Sequence, residues 1–401
     1  MAKPLTVEVA IVGGGPAGLT AAIALADAGV TTALIARRAA SDHRTTALLA
    51  GSVTALQALG VWRGCKAHAA PLRIMRIADA TARLVRAPEV HFSASDIGLD
   101  AFGHNIENRH LMAALDARAG ELAYLTRIED EVRAVETSEP DVTISLGSGQ
   151  SVAAQLVIGA DGRHSLCRTA AGIESDSRVY PQTALTFNLA HSRPHHDTST
   201  EFHTESGPFT LVPLPGQRSS LVCVVDPVEA ERIAVLDDDA LNEEIERRSY
   251  SVLGKIAVEP GHGAFPLAVE TVRTFARNRV ALVGEAAHLI PPIGAQGLNL
   301  GLRDAACIAE LVVLARRDGA DVGAADVLAR YDAERRADVN SRTLAVDLLN
   351  RTLLSGFLPV QGARGLGLYL IERIGPLRRT VLREGVAPAA SQPRLMRGEA
   401  L

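Results

Sequence analysis

Cysteine is scarce in this 401-residue chain: Cys65, Cys167, Cys223 and Cys307 lie far apart, with no C-x-x-C pair. That spacing supports neither a zinc site nor a disulfide framework, and it suits a reducing compartment. A basic excess is missing too. With a net charge of −5, no domain-wide positive field is available to neutralise phosphates, so a nucleic-acid partner is not expected. No apolar run reaches the length of a membrane span. The first strand starts within a few residues of Met1, which leads us to expect no signal peptide and a cytoplasmic protein. What is plentiful is aliphatic: 47% of residues are hydrophobic, enough for two or three domains with substantial cores.

Residues 7–36 carry the most information. Val7, Val9, Ala10, Ile11 and Val12 form an apolar run that ends in three glycines, the pattern of a buried parallel strand. Gly13, Gly15 and Gly18 stand at G-x-G-x-x-G spacing, with Pro16 and Ala17 between them. Residues 19–28 read as an alanine-rich helix closed by Gly29, and 31–35 as a second strand. This order of strand, turn, helix and strand is the one a dinucleotide site requires. Gly13 permits the tight turn, Gly15 lets the backbone approach a pyrophosphate, and Gly18 lets the helix lie close on the strand. The helix N-terminus adds unpaired N–H groups. An acid for the adenosine ribose usually ends the second strand; here Ala36 stands there, before Arg37 and Arg38. Either other groups hold the ribose, or Arg37 contacts the adenosine side.

Further along, Arg44 precedes a helical pattern with Leu48, Val53, Leu56 and Leu59 on its apolar side. It reads as a phosphate clamp or as a surface arginine near a helix start. Residues 71–100 look like strands and loops of another layer. An amphipathic helix is predicted within 105–119, from Arg109 onward, and a hairpin turn at 147–149. The run AQLVIGADG ends in Ala160-Asp161-Gly162, where ligands of open α/β sheets bind; alternatively Asp161 only starts a turn. From 180 to 267, short runs between Pro and Gly turns predict a sheet with little helix apart from 237–249, read as a substrate-covering layer. His191, His195 and His196 admit a metal reading, but the intervening Pro194 and the lack of partner ligands favour a solvated loop. The chain then returns with a strand at 280–283 and a loop carrying Glu285, His288, Pro291, Pro292 and Gly294. A long helix follows from about Gly297. Its N-terminus faces that loop and suits negative charge. His288 reads as a base or, more simply, as a histidine packed in the loop.

Together these pieces resemble a known family. GGGPAG at 13–18, Ala160-Asp161-Gly162, and GEAAH at 284–288 with Pro291-Pro292 and GAQGLN at 294–299 are similar to the three fingerprints of single-component FAD-dependent aromatic hydroxylases. Residues 207–215, the QGLNLGLRD run and YDAERR at 331–336 resemble the UbiH/VisC branch, the ubiquinone-biosynthesis hydroxylases. The resemblance implies an α/β fold like that of para-hydroxybenzoate hydroxylase. In it a Rossmann-like FAD-binding domain with a central parallel sheet (1–72, 105–179 and 273–318) sits beside a β-sheet-rich substrate domain (73–104 and 180–272) and C-terminal helices (319–387).

The same resemblance implies FAD as cofactor. Gly13, Gly15, Pro16, Ala17 and Gly18 would meet its pyrophosphate, and Arg37, Arg44 and Arg109 its phosphate and adenosine side. Asp161 and Gly162 would lie by the flavin and the nicotinamide path. Glu285 stands where the family usually has Asp. It would sit near the ribityl chain, with Pro292, Gly294, Gly297, Leu298 and Asn299 around the flavin. NAD(P)H is implied as electron donor, and the lack of a second complete G-x-G-x-x-G fits its transient binding. The implied reaction is hydroxylation of a prenylated phenol by O2 through a flavin C4a-hydroperoxide, so neither a metal nor a side-chain nucleophile is expected, and no catalytic base is identified. A hydroxylase of a soluble aromatic or polyketide, and a flavin-binding accessory protein without turnover, remain alternatives. A flavin halogenase is disfavoured, because Trp62 alone cannot supply a W-x-W motif.

Residues 341–383 carry seven arginines against Asp347 and Glu372, interleaved with leucines, Phe357, Tyr369 and Ile371. Such a segment suits an anionic membrane surface, or a contact within a biosynthetic complex, and places the protein at the inner face of the membrane. Helices packed on the FAD domain, with solvated arginines, are the equal alternative. The composition from Pro388 onward predicts a disordered tail, 388–401.

Overall fold

A computed structural model of the protein describes residues 4–37, 42–82, 86–292, 294–354, 367, 369–370, 373–386 and 392–401. Strand β1 (Leu5–Val12) has Val9, Ala10 and Ile11 fully buried. Both its faces are covered, which is why its sequence is a continuous apolar run without alternation. Parallel pairing sets Val12 beside Ile35 of β2 (Thr32–Ile35) on one side and beside Gly159 of strand Ser151–Gly159 on the other. Ile35 in turn aligns with Ile128 of strand Leu125–Ile128, and Gly159 with Leu282 of strand Val280–Leu282. The five strands therefore end in one row. Because β1 has its neighbours on opposite sides, that row contains the switch point at which open α/β sheets bind ligands.

Helix α1 (Pro16–Asp27) is buried from Ala17 to Ala26. Its small residues let helices Asn108–Gly120 and Gln296–Arg317 pack closely on it. The second sheet runs, in spatial order, through strands His288–Leu289, Gly263–Val272, Ser175–His191, Arg218–Val225, Pro208–Leu214, Thr198–His203, Ile74–Asp79 and Val90–Ser93. Its long strand alternates faces with period two. Leu185, Phe187 and Leu189 pack against Ile233, Leu241 and Ile245 of helices Pro227–Ala234 and Asp238–Arg248. Tyr180 and Ala184 join Val224 and Leu267 in a separate cluster. Asn188, two alternations on from Ala184, donates from Nδ2 to His43 O at 2.9 Å, so this second face meets the loops of the first sheet.

Two expectations change. Leu48, read as helical, lies on strand Thr45–Leu49, which pairs with Gly103–Glu107; the helix there is only Ala50–Ala58. Backbone partners supplied from far along the chain override the local period. The tail expected to be disordered is packed over 392–401: Leu395 and Met396 are buried, and the Arg394 N–H donates to Glu310 Oε2 at 2.8 Å. Residues 388–391 lie outside the described residues. Among the described residues no helix is long and apolar enough to cross a membrane.

Candidate functional site

The row of strand ends carries the site. Gly13 follows β1 with φ +115°, and a Cβ there would stand 2.1 Å from Ala160 O. The glycine turn and the end of strand Ser151–Gly159 thus touch directly, an approach only glycine permits. A Cβ at Gly18 would fall 2.1 Å from Gly13 O, whereas one at Gly15 would meet nothing within 4 Å. Gly13 and Gly18 close the turn; Gly15 faces open space. Helix α1 starts there with Pro16, no side-chain cap and no acid in its first turn, which leaves its N–H groups and partial positive charge for a ligand.

Around this turn the charged residues have specific partners. Asp161 accepts the Ser165 hydroxyl at 2.6 Å and the Cys167 N–H at 3.1 Å, so its carboxylate builds the turn into helix Leu166–Ala170. Arg37 is exposed, with Glu131 3.9 Å away. Ala36 donates its N–H to Ile128 O at 3.1 Å, which brings Glu129 to the strand end next to the position where an acid is absent. Arg44 forms a bidentate pair with Asp42, 2.9 and 2.8 Å, and its guanidinium lies 5.3 Å over the Phe265 ring of the second sheet. Asp42, and more distantly Glu285, hold Arg44 firmly protonated despite its partial burial. Arg109 pairs with the buried Glu107 at 2.8 Å, and Arg218 takes the other Glu107 oxygen at 3.0 Å. Burial pushes the Glu107 carboxyl up, but the two guanidiniums more than offset this and hold it below the usual range. Arg44 O accepts the Asn108 N–H at 2.8 Å, so both arginines flank one backbone junction.

The third corner follows strand Val280–Leu282. Glu285 is exposed, between the buried Gly284 and Ala286. A Cβ on Gly284 would lie 3.3 Å from Ala17, and one on Gly301 would lie 3.4 Å from the same atom, so this loop, α1 and helix Gln296–Arg317 converge on Ala17. That helix also begins without a side-chain cap or an early acid. Pro292, Gly294 and Gly297 are exposed beside its start, and Gly294 and Ala295 have φ +67° and +54°. Leu298 is half-buried against the core. Asn299 has its amide committed: Oδ1 accepts Leu49 N–H at 2.8 Å, and Nδ2 donates to Ala47 O at 2.8 Å and Ala295 O at 2.6 Å. It fixes the helix start against strand Thr45–Leu49.

Sequence reasoning missed the group beneath this corner. Asp304 is fully buried and accepts Gly284 N–H at 3.0 Å, His288 Nε2 at 2.7 Å and Arg335 Nε at 2.7 Å. Burial opposes its charge, yet His288 and Arg335 hold its carboxyl below the usual range. His288 is thus packed on an acid and 2% exposed, as the simpler reading expects. A signal existed: Arg303 and Asp304 are the only charged residues in 296–309. His191, expected in a solvated loop, is instead the buried last residue of strand Ser175–His191, bridging Arg193 O and Ser219 Oγ at 2.8 and 3.0 Å; His195, half-buried, meets Leu214 O through Nε2 at 3.0 Å, and His196 is exposed.

These features fit a dinucleotide flavin. Two uncapped helix N-termini and an open glycine turn belong to elements that converge on Ala17, each helix end worth on the order of 1 kcal/mol toward an anionic group.

Comparison with known proteins agrees. The family described as an FAD binding domain matches residues 6–344. The chain is 35% identical to the ubiquinone hydroxylase UbiL of Rhodospirillum rubrum, over 98% of this chain and 92% of that protein. It is 31% identical to the 3-demethoxyubiquinol 3-hydroxylase of Escherichia coli, over 94% of this chain and 97% of that one. Among solved structures, p-nitrophenol 4-monooxygenase PnpA of Pseudomonas putida has the same fold, with a TM-score of 0.79 at 20% identity, covering 96% of this chain and 100% of that chain. The chain therefore belongs to the FAD binding domain family, as an FAD-dependent aromatic hydroxylase of the UbiH/VisC type.

Proposed function

We propose that this protein hydroxylates the aromatic ring of a prenylated phenol on the way to ubiquinone, using FAD, O2 and NAD(P)H. The observation that carries the reading is the convergence of the glycine turn, the Glu285 loop and two uncapped helix N-termini at one row of strand ends, in a chain whose full-length relatives are named as ubiquinone hydroxylases. The turn from Gly13 to Gly18 would hold the FAD pyrophosphate on the N–H groups of α1. Arg44 and Arg109 would serve the phosphate and adenosine side, and Glu285 the ribityl region. The first residues of helix Gln296–Arg317 would stabilise negative charge on the flavin. Bound FAD supplies reducing power and the activation of O2.

The protein's share is shape and exclusion. Phe265 and Leu267 lie on strand Gly263–Val272, and Arg44, in the loop before strand Thr45–Leu49, reaches across to Phe265. A cover of this kind keeps water from the reacting centre.

For the partner surface, Leu370, Ile374, Leu377 and Val381 are 37, 43, 39 and 42% exposed and fall at i, i+4, i+7 and i+11, which is one face of a helix. The Ile374 N–H bonds Leu370 O at 2.8 Å, and the Arg378 N–H bonds Ile374 O at 2.9 Å, just ahead of and within helix Gly375–Val386. Arg373, Arg379 and Arg383 beside the stripe are exposed. An apolar stripe rimmed by arginines suits the interfacial region of an anionic bilayer, where a polyprenylated substrate resides. The test of the function is product analysis after deletion of the gene: a prenylphenol lacking one hydroxyl should accumulate, and an unchanged quinone pool refutes the reading.

A further inference from the structure

Beneath the Glu285 turn lies a chain of buried charges that joins two of the cofactor-facing segments through a third element. Asp304 holds the Gly284 N–H and is itself held by Arg335. Arg335 Nη1 donates to Asp338 Oδ2 at 2.8 Å, and Arg303 Nη1 reaches both Asp338 oxygens at 2.8 Å. Arg342 Nε donates to Asp338 Oδ1 at 3.0 Å and its Nη1 to Gln296 Oε1 at 3.2 Å; the Gln296 amide donates in turn to Gly294 O at 3.0 Å. Arg335, Asp338 and Arg342 all belong to helix Ala325–Leu354.

Ions this deeply buried are costly, because desolvation cancels much of their attraction. Replacing them with apolar groups would often stabilise the fold, so their presence asks for a reason beyond stability. Geometry supplies one. Gly284 has φ +61°, and its N–H points into the protein at a carboxylate rather than out toward the site. The adjacent Glu285 is thereby turned to the open side.

We propose that Asp304 is a positioning residue for the flavin site. Through Gly284 N–H it sets the turn that presents Glu285, and through Arg335, Asp338 and Arg342 it keeps that turn in register with Gln296 at the start of the second helix. The inference rests on the flavin reading of the site and goes beyond it by assigning the buried array a role.

The test uses the full chain with bound FAD removed and added back. Asp304→Leu combined with Arg335→Met removes both charges together, so neither is left unpaired against the other. The expected result is a folded protein by circular dichroism whose FAD dissociation constant, from quenching of flavin fluorescence, rises about tenfold or more, with an altered visible circular dichroism of the bound flavin. FAD affinity and spectrum equal to wild type would overturn the proposal, because a merely charge-satisfying pair is dispensable in that variant. If the double variant does not fold, Asp304→Asn keeps the shape and one acceptor: about threefold weaker FAD binding with a changed flavin spectrum supports the assignment, and unchanged binding refutes it. Wild-type chain that binds no FAD would refute the flavin reading itself, a result distinct from either.

Discussion

At the scale of single residues, the two kinds of glycine in the first turn make opposite demands. Gly13 and Gly18 are fixed by contact, since a Cβ at either would stand 2.1 Å from a backbone oxygen. Gly15 has φ −73° and open space around a Cβ, so alanine fits the protein there but intrudes on a pyrophosphate. Gly15→Ala should therefore leave the melting temperature unchanged while weakening FAD binding about tenfold; Gly13→Ala should reduce soluble, folded protein as well. Equal FAD affinity in wild type and Gly15→Ala would place the phosphates elsewhere. The glycine spacing was legible in the sequence because each role is local. The turn role of Asp161 was legible as the second of its two readings, because Ser165 and Cys167 are local partners; the role of Asn299 was not, because its amide is spent on Leu49 N–H and Ala47 O from far along the chain. Asp304 was hidden for a related reason: its partner Arg335 sits 31 residues away on another helix, and helical periodicity carries no sign of such a pairing.

At the scale of elements, helix Gly375–Val386 has two faces. Leu382 enters the cluster of Val90, Phe92 and Phe102, and Arg378 docks on Asp96 at 2.7 Å and on the Phe92 ring at 5.3 Å. Arg378 thus anchors the helix and is not free for a membrane surface, unlike the exposed Arg373, Arg379 and Arg383 of the same segment. Replacing Arg373, Arg379 and Arg383 with glutamine should reduce co-sedimentation with anionic vesicles without changing thermal stability. Undiminished sedimentation would remove the membrane from the account. The packed C-terminus makes a separate prediction: truncation before Gln392 uncovers the sites of Leu395 and Met396, a loss of about 3 kcal/mol or more, visible as a lower denaturation midpoint. Strand and helix positions around the first sheet's core were legible because continuous apolar runs bounded by turn glycines mark its buried strands. The second sheet's extra strands, Ile74–Asp79 and Val90–Ser93, were read only as another layer, since nothing in a short strand names its distant partner.

At the scale of the whole molecule, pH reports on two partly buried histidines far apart in the chain. Burial holds the imidazoles of His104 and His191 below the ordinary histidine range. The unfolded chain takes up these protons near pH 6.5, about the model-peptide value, and the folded chain only at lower pH. Protons therefore favour the unfolded state, and stability should fall as pH drops below about 6.5, before the carboxylates titrate. Differential scanning calorimetry checks this: the slope should flatten in His104→Gln/His191→Gln, and a slope identical to wild type would assign it to other groups.

The account as a whole stands on oxygen transfer to a ring. The most direct measurement is to supply the purified protein with FAD, NAD(P)H, a polyprenylated phenol in anionic vesicles and isotopically heavy O2, and to weigh the product. The account predicts a phenol gaining one heavy oxygen atom per NAD(P)H consumed. A product without the label, or NAD(P)H oxidation that yields only hydrogen peroxide, would contradict it.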